Sequence, residues 1–400
     1  MTPLKILFIC NKSPWPPREG GPMAMNNLIE GLLGAGDRVK VLAVESEKYH
    51  VASEKIPADY RKKTGIEFVH LDLAVKFIPA FLNLFSRQSY HVKRFISHAF
   101  ERKLTEILQR ETFDIIQIET LFMAPYLETI RKYSTARVVL RAHNIEHLIW
   151  KRMALASRNP ARKFYLKHLF STLENYEKKI LDDFDAILPI TEKDAAFFKA
   201  YCRKPVKTIP FGINLKDYSA SGDQHVEQAL YHIGAMNWMP NEEGIRWFLK
   251  RVWPQLRQKF PALKLYLAGR AMPRWLLELK MENIIVAGEV PDARAFILSK
   301  STGIVPLFSG SGVRIKIIES MALGKAVVST RTGAEGIGYT DGENILIADT
   351  VMEFVSAISR LYKNPGEEVR VGQNARRFVE TKHDNRKIIG ELQAFYREIL

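Results

Sequence analysis

Cysteine is nearly absent. The 400 residues hold two, Cys10 and Cys202, too few for a disulfide framework and without the C-x-x-C spacing of a zinc or redox pair. Long apolar runs are missing as well. The opening run Ile6-Leu7-Phe8-Ile9-Cys10 meets Asn11, Lys12 and Ser13, which does not fit a secretory signal. No stretch approaches the ~20 apolar residues of a membrane-spanning helix. These shortages exclude a disulfide-built secreted module and an integral membrane protein, and a cytoplasmic protein is the expectation. Acidic charge is also short: 44 Asp and Glu face 59 Lys and Arg, a formal net charge of +15. Residues 1–210 carry 34 basic and 23 acidic side chains (+11), and the remainder 25 and 21 (+4). A surplus of this kind first suggests an anionic partner, nucleic acid or an anionic membrane.

What is present is a chain that can bury large cores, with 46% hydrophobic residues, and long enough at roughly 150 residues per domain for two domains. It opens on a βαβ pattern. The apolar run 5–9 reads as a parallel strand covered on both faces, a loop with four prolines and Gly20-Gly21 follows, and a helix over 23–33 leads to a strand over 39–44. Further strands are expected at 66–71, 115–118, 138–141, 186–190 and 207–209. A second series has strands at 230–233, 263–268, 284–287, 303–306, 326–329 and 345–347. Its helices are expected around 244–259, 293–300, 313–323, 351–363 and 366–380. A polar stretch, 219–224, suits a linker. Alternation of this kind predicts an α/β protein of two Rossmann-like, doubly wound domains.

The densest chemistry follows the strand at 303–306. Ser309-Gly310-Ser311-Gly312 is a small-residue loop before a helix that should begin near Val313. Exposed N–H groups and the positive dipole end of such a helix suit a phosphate. Arg314 and Lys316 sit badly in a helix start unless an anion docks there. Glu319 shares a helix face with Lys316 and is placed to accept ribose hydroxyls, a plain surface Lys316–Glu319 pair being the alternative.

The segment Ser309 to Val328 resembles the donor motif of GT-B glycosyltransferases, in the large retaining family often called group 1 or GT4. Glu319-Ser-Met-Ala-Leu-Gly-Lys-Ala-Val-Val328 matches the second half of that motif. The family's first glutamate, which contacts the donor sugar, would fall at position 311, where this chain has Ser311. The chain resembles instead a subgroup with Gly-x-Arg-x-Lys-x-x-Glu. By that resemblance Arg314 and Lys316 meet the diphosphate, Glu319 the ribose, and Gly310, Ser311, Gly312 and Val313 form the donor loop. His232 to Asn241 resembles the first strand and donor loop of the family's second domain, with Gly234 and Asn237 as donor contacts. The Arg expected after that glycine is replaced by Ala235. Gly288 and Val290 fall where the family's backbone meets the nucleobase, and Gly333 and Glu335 beside the phosphates and sugar. By the same resemblance Gly20 and Gly21 fall in the glycine loop of the acceptor side, an ordinary loop with turn glycines being the other reading, and His143, after the strand at 138–141, would face the reacting sugar, with Glu146 a weaker candidate.

The resemblance implies a GT-B fold, two domains facing a central cleft, with boundaries at 1–212 for acceptor binding and 213–380 for the donor. Residues 381–400 would return as a helix onto the first domain. It further implies transfer of a hexose, with retention, from a nucleoside-diphosphate sugar to a saccharide or lipid-linked acceptor, without metal or other cofactor. A nucleotide-sugar 2-epimerase of the same fold is the alternative enzyme. A basic nucleic-acid-binding protein is the other class, but no RNA- or DNA-binding module is recognisable. Asp183-Phe184-Asp185 has metal-motif spacing but precedes a strand of the first half and reads as structural. Gly31, Gly34 and Gly36 close a helix, so they do not form a dinucleotide fingerprint. Over 77–103, Phe77, Phe81 and Phe85 beside Arg87, His91, Lys93, Arg94, Arg102 and Lys103 suit an anionic bilayer surface.

Overall fold

A computed structural model describes residues 2–17, 19–47, 50, 55–219, 226–310 and 312–400. The chain forms two units, Met1–Gly212 with Asn385–Leu400, and Ile213–Asp384. The polar stretch expected as a linker lies almost wholly outside the described residues, as does Ser311.

The first unit is built on a six-stranded parallel sheet in the order β3-β2-β1-β4-β5-β6. Its strands are β1 (Lys5–Cys10), β2 (Arg38–Glu45), β3 (Glu67–His70), β4 (Ile115–Glu119), β5 (Arg137–Ala142) and β6 (Ala186–Pro189). Burial on both faces explains the near-continuous apolar strands: Leu7, Ile9, Ile116 and Ile118 enter one core cluster, and Ile6, Phe8, Ile115 and Val139 the other. The second cluster is closed by Ile388, Ile389, Leu392, Phe395 and Tyr396 of the helix Asn385–Ile399.

The second unit repeats the scheme with β7 (Glu227–Ile233), β8 (Leu265–Ala268), β9 (Ile284–Gly288), β10 (Lys300–Val305), β11 (Ala326–Ser329) and β12 (Leu346–Ile347). Their order is β12-β11-β10-β7-β8-β9. Each sheet therefore reverses direction once, between β1 and β4 and between β7 and β10. In doubly wound sheets ligands bind beyond the carboxyl ends of the strands at that reversal. The two-domain GT-B fold expected from the sequence is the observed one.

Several elements differ from expectation. Residues 207–209 form no strand; Lys207 and Ile209 donate to Ile187 and Pro189 carbonyls between Pro205 and Pro210, and the only bridge there pairs Ile187 with Val206. The helix expected over 244–259 starts earlier, at Met239 with Pro240 in its first turn. It widens into a π turn over Phe248–Val252 before resuming at Trp253–Lys259. Trp253 N–H reaches back to the Phe248 carbonyl, and the following Pro254 has no N–H to continue an α pattern. Gly20 and Gly21 are the first residues of the helix Gly20–Gly34, not part of the preceding loop. The second unit ends at Asp384 rather than 380, because the helix Pro365–Lys382 runs on and Ile213 pairs with His383 and Asp384.

Candidate functional site

In the second unit, the chain leaves β7 through Gly234 and leaves β10 through the small-residue loop, the two strands flanking the reversal. The helix after that loop, Ile315–Ala322, begins two residues later than expected. Arg314 is its N-cap residue, in extended conformation and without a side-chain cap. The Arg314 side chain is buried and turns back, donating to the Gly312 carbonyl with its guanidinium 5.0 Å from the Trp238 ring centre. Gly310, at φ 101°, lets this happen: a Cβ there would lie 2.9 Å from the Trp238 ring and 3.0 Å from the Arg314 guanidinium. Val313 is partly buried beside them.

Lys316 lies in the first turn of the same helix. Its ammonium donates to Asn241 Oδ1 at 2.6 Å and sits 3.4 Å from His232 Nε2. His232 Nδ1 donates to the Ile304 carbonyl (2.9 Å), so Nε2 is bare toward the ammonium. Burial and Lys316 hold the His232 pKa well below its ordinary value, which keeps the ring neutral. Burial, with Arg314 beside it, pulls Lys316 down to about 7, and Glu319 opposes the shift. A Cβ at Gly234 would be 2.7 Å from the Lys316 ammonium. Lys316 thus crowds onto the bare backbone of Gly234 at the end of β7, and Arg314 lies in the glycine loop close enough to act on its charge, both at a helix start, an arrangement suited to a polyanion.

Glu319 does not pair with Lys316 in a surface bridge. Its Oε1 accepts from the Tyr218 hydroxyl at 2.8 Å, and burial raises its pKa. Asn237 is exposed; it is Asn241, four residues on and inside the helix Met239–Trp247, that meets Lys316 and also donates to the Ala235 carbonyl (2.8 Å). Gly288 closes β9, where its carbonyl accepts from Gly269 N–H at 2.7 Å, and Val290 follows it partly buried. Gly333 is buried, and its N–H is used internally, donating to Thr330 Oγ1 (2.9 Å); Glu335 is partly buried. Ser311 lies outside the described residues. Asn241, His232 and Tyr218 were missed as site residues because each acts through a tertiary contact that spacing does not show.

In the first unit, Gly20 and Gly21 sit at the carboxyl end of β1, where a Cβ on Gly21 would meet the Lys12 side chain at 2.9 Å. His143 follows β5 and places Nε2 2.5 Å from Oε2 of Glu119, the last residue of β4 and fully buried. Glu119 was not foreseen; a carboxylate ending the apolar run 115–118 was its signal. Glu146 opens the helix Glu146–Ala156, and burial, then Glu177, raises its pKa to about 8. Asp185 accepts from Val138 N–H (2.7 Å) and pairs with Arg131, which fits the structural reading of that motif. Among the described residues no three His, Cys, Asp or Glu are grouped to hold a metal ion.

The segment 77–103 splits into two kinds of residue. On and after the helix Phe77–Asn83, Ile78, Phe81, Leu82 and Phe85 are exposed, Phe85 at 82%, rather than core. The side chain of Phe77 lies outside the described residues. Arg87, Lys93 and Arg102 are exposed. The remaining basic groups serve the fold: His91 is buried and stacked on Trp150 at 4.0 Å, Arg94 donates to the Leu73 carbonyl, and Lys103 pairs with Glu67 and Glu106. Burial brings His91 down to about 4. No helix among the described residues is long and apolar enough to cross a membrane.

Comparison with known proteins agrees with this fold. The topology of the two units is that of a two-domain GT-B fold. Residues 227–364 match the model of the family Glycosyl transferases group 1. Over 417 aligned residues the chain is 25% identical to an uncharacterized 44.6 kDa protein in the cps region of Klebsiella pneumoniae, covering 97% of this chain and 98% of that one. Sucrose-phosphate synthase from Thermosynechococcus elongatus superposes with a TM-score of 0.71 at 16% identity, covering 99% of each chain. HepE of Anabaena in complex with UDP superposes with a TM-score of 0.70 at 15% identity, covering 99% of this chain and 100% of that one.

Proposed function

We propose that this chain is a retaining, metal-independent hexosyltransferase of the GT4 type. It would move a sugar from a nucleoside diphosphate, held by the second unit, to a saccharide or lipid-linked acceptor held by the first. The observation that carries the reading is the convergence of Arg314 and Lys316 on the bare backbone of Gly234 and Gly312. When the glycosidic bond to the diphosphate breaks, negative charge grows on the leaving phosphate. Two preorganised cations and a helix start stabilise that charge more in the transition state than in the bound sugar nucleotide. Glu319, steadied by Tyr218, is the group for the ribose hydroxyls, and His143 orients the reacting sugar from the first unit. HepE crystallised with UDP-glucose supports a nucleotide-sugar donor, and the cps-region relative supports a role in surface polysaccharide assembly.

The exposed apolar residues around Phe81 and Phe85 support attachment at an anionic membrane, where a lipid-linked acceptor would reside. They are joined by basic side chains over 146–168, where Lys151, Arg152, Arg158, Arg162 and Lys167 are exposed. The deciding experiment incubates the protein with UDP-, GDP- and ADP-sugars, with and without candidate acceptors. Acceptor-dependent release of nucleotide with an α-configured product from an α-configured donor is the expected result. Conversion of donor alone to its 2-epimer would replace the reading with an epimerase, and no turnover of any donor would overturn it.

A further inference from the structure

The first unit contains a buried polar chain that the donor chemistry does not use. It begins on the C-terminal helix, where fully buried Tyr396 donates its hydroxyl hydrogen to Gln117 Oε1. Gln117 Nε2 donates to Glu119 Oε1, and Glu119 Oε2 lies 2.5 Å from His143 Nε2. Gln117 and Glu119 are alternate residues of β4 and share one sheet face, both with no exposed surface. Four side chains from three elements thus run from the last helix to the imidazole at the sheet's carboxyl edge.

Counting hydrogens fixes the direction of this chain. Tyr396 has one O–H, and giving it to Gln117 Oε1 turns the amide NH2 toward Glu119. A carboxylate only accepts, so His143 must carry its proton on Nε2. In the neutral ring Nδ1 is then a bare acceptor. Arg141, directly opposite Glu119 on β5, supplies the counter-charge; burial lowers its pKa to about 10, with Glu119 opposing the shift. The next residue, Thr120, adopts φ 81° and ψ 150°, a conformation that residues with side chains avoid. Its hydroxyl, in a residue 8% exposed, has no hydrogen-bond partner. Local strain and an unsatisfied buried hydroxyl beside a carboxylate–imidazole pair suit a ligand site better than a stability device.

We infer that Glu119 is the positioning residue of His143, and that Tyr396 orients the amide between them. The ring thereby offers Nδ1 as an acceptor for a sugar hydroxyl. The identity of that ligand rests on the glycosyltransferase reading; the state of the ring does not. The test uses the full chain with 15N-labelled histidine, His143 being assigned with a His143→Gln variant. Spectra are read at a pH of about 8.5, above the ordinary imidazole range. Wild type should show His143 protonated on Nε2.

In Glu119→Gln the new amide accepts from Gln117 and turns its NH2 to the ring, so the proton should move to Nδ1. The ring would then offer a donor where an acceptor is needed, and kcat/KM should fall by roughly 30-fold or more. Tyr396→Phe leaves the carboxylate in place, so the wild-type tautomer should persist, with a loss of only about three- to tenfold. An Nδ1-protonated ring in wild type, or an unchanged tautomer in Glu119→Gln, overturns the inference. If that variant does not fold, the wild-type spectrum decides. An Nε2-protonated ring in a protein that turns over no donor sinks the glycosyltransferase reading and leaves the positioning of His143 standing.

Discussion

Lys316 gives the sharpest test of the donor site, because its charge state is coupled to binding. Burial and the neighbouring Arg314 bring its pKa from 10.5 to about 7 in the free protein. A nucleoside diphosphate placed against the ammonium would favour the charged form and push that value back up. The sign of the linkage follows. Below pH ~7 the lysine is already charged and binding takes up no proton; above it, binding must protonate the amine. At pH ~8.5 about 3% of the free protein holds a charged Lys316, so affinity should be roughly 30-fold weaker than near pH 6. The limiting slope is about tenfold per pH unit until the pKa of the complex is reached. A terminal phosphate, with its second pKa near ~6, is fully ionised above pH ~7.5 and adds nothing in that range.

Titration calorimetry with UDP in two buffers of different ionisation enthalpy counts the protons directly. Close to one proton taken up per nucleotide is expected at pH ~8.5, and close to none in Lys316→Met, whose affinity should be weak and nearly flat with pH. Wild-type affinity that stays constant between pH ~7.5 and ~9, with no proton uptake, would refute the placement of the diphosphate against this ammonium.

The other expectations are shorter. Arg314→Ala should lower turnover by about 10²-fold or more, as loss of one preorganised charge-stabilising donor does, and near-wild-type rates would remove it from the mechanism. Gly234→Ala puts a methyl 2.7 Å from the Lys316 ammonium. It should weaken nucleotide binding by at least ~10-fold while the sheet, and so the melting temperature, changes little. Activity measured after treatment with EDTA should equal untreated activity, since the two cations supply the counter-charge; strict restoration by a divalent metal would contradict this. Sedimentation with anionic vesicles at low salt should capture the protein, and Phe81→Ser with Phe85→Ser should abolish capture; equal binding to neutral vesicles would remove the basic surface from the account.

How much of this was legible beforehand depends on the range of the interaction concerned. Apolar runs such as 5–9 and 326–329 announced buried parallel strands, because a strand covered on both faces has no alternation to hide. The loop of the candidate donor site was readable as a cluster since glycines, cations and a helix start lie within eight residues of sequence. Contacts that close the site were not readable. Lys316 depends on Asn241, 75 residues away, and Glu319 on Tyr218, 101 residues away. The π turn before Pro254 was not readable either, because proline acts there through a rearranged hydrogen bond from Trp253 N–H to the Phe248 carbonyl. His143 shows the same limit most clearly. Its neighbours in sequence suggested only a strand end, whereas its chemistry is set by Glu119 on the adjacent strand and, two residues further along the chain of hydrogen bonds, by Tyr396 on the final helix. A parallel sheet makes this unavoidable: strands that adjoin at the carboxyl edge are separated by whole crossover helices, so the groups that meet there come from distant sequence. The site is thus a property of strand order, and motifs report only the half of it that one loop can carry.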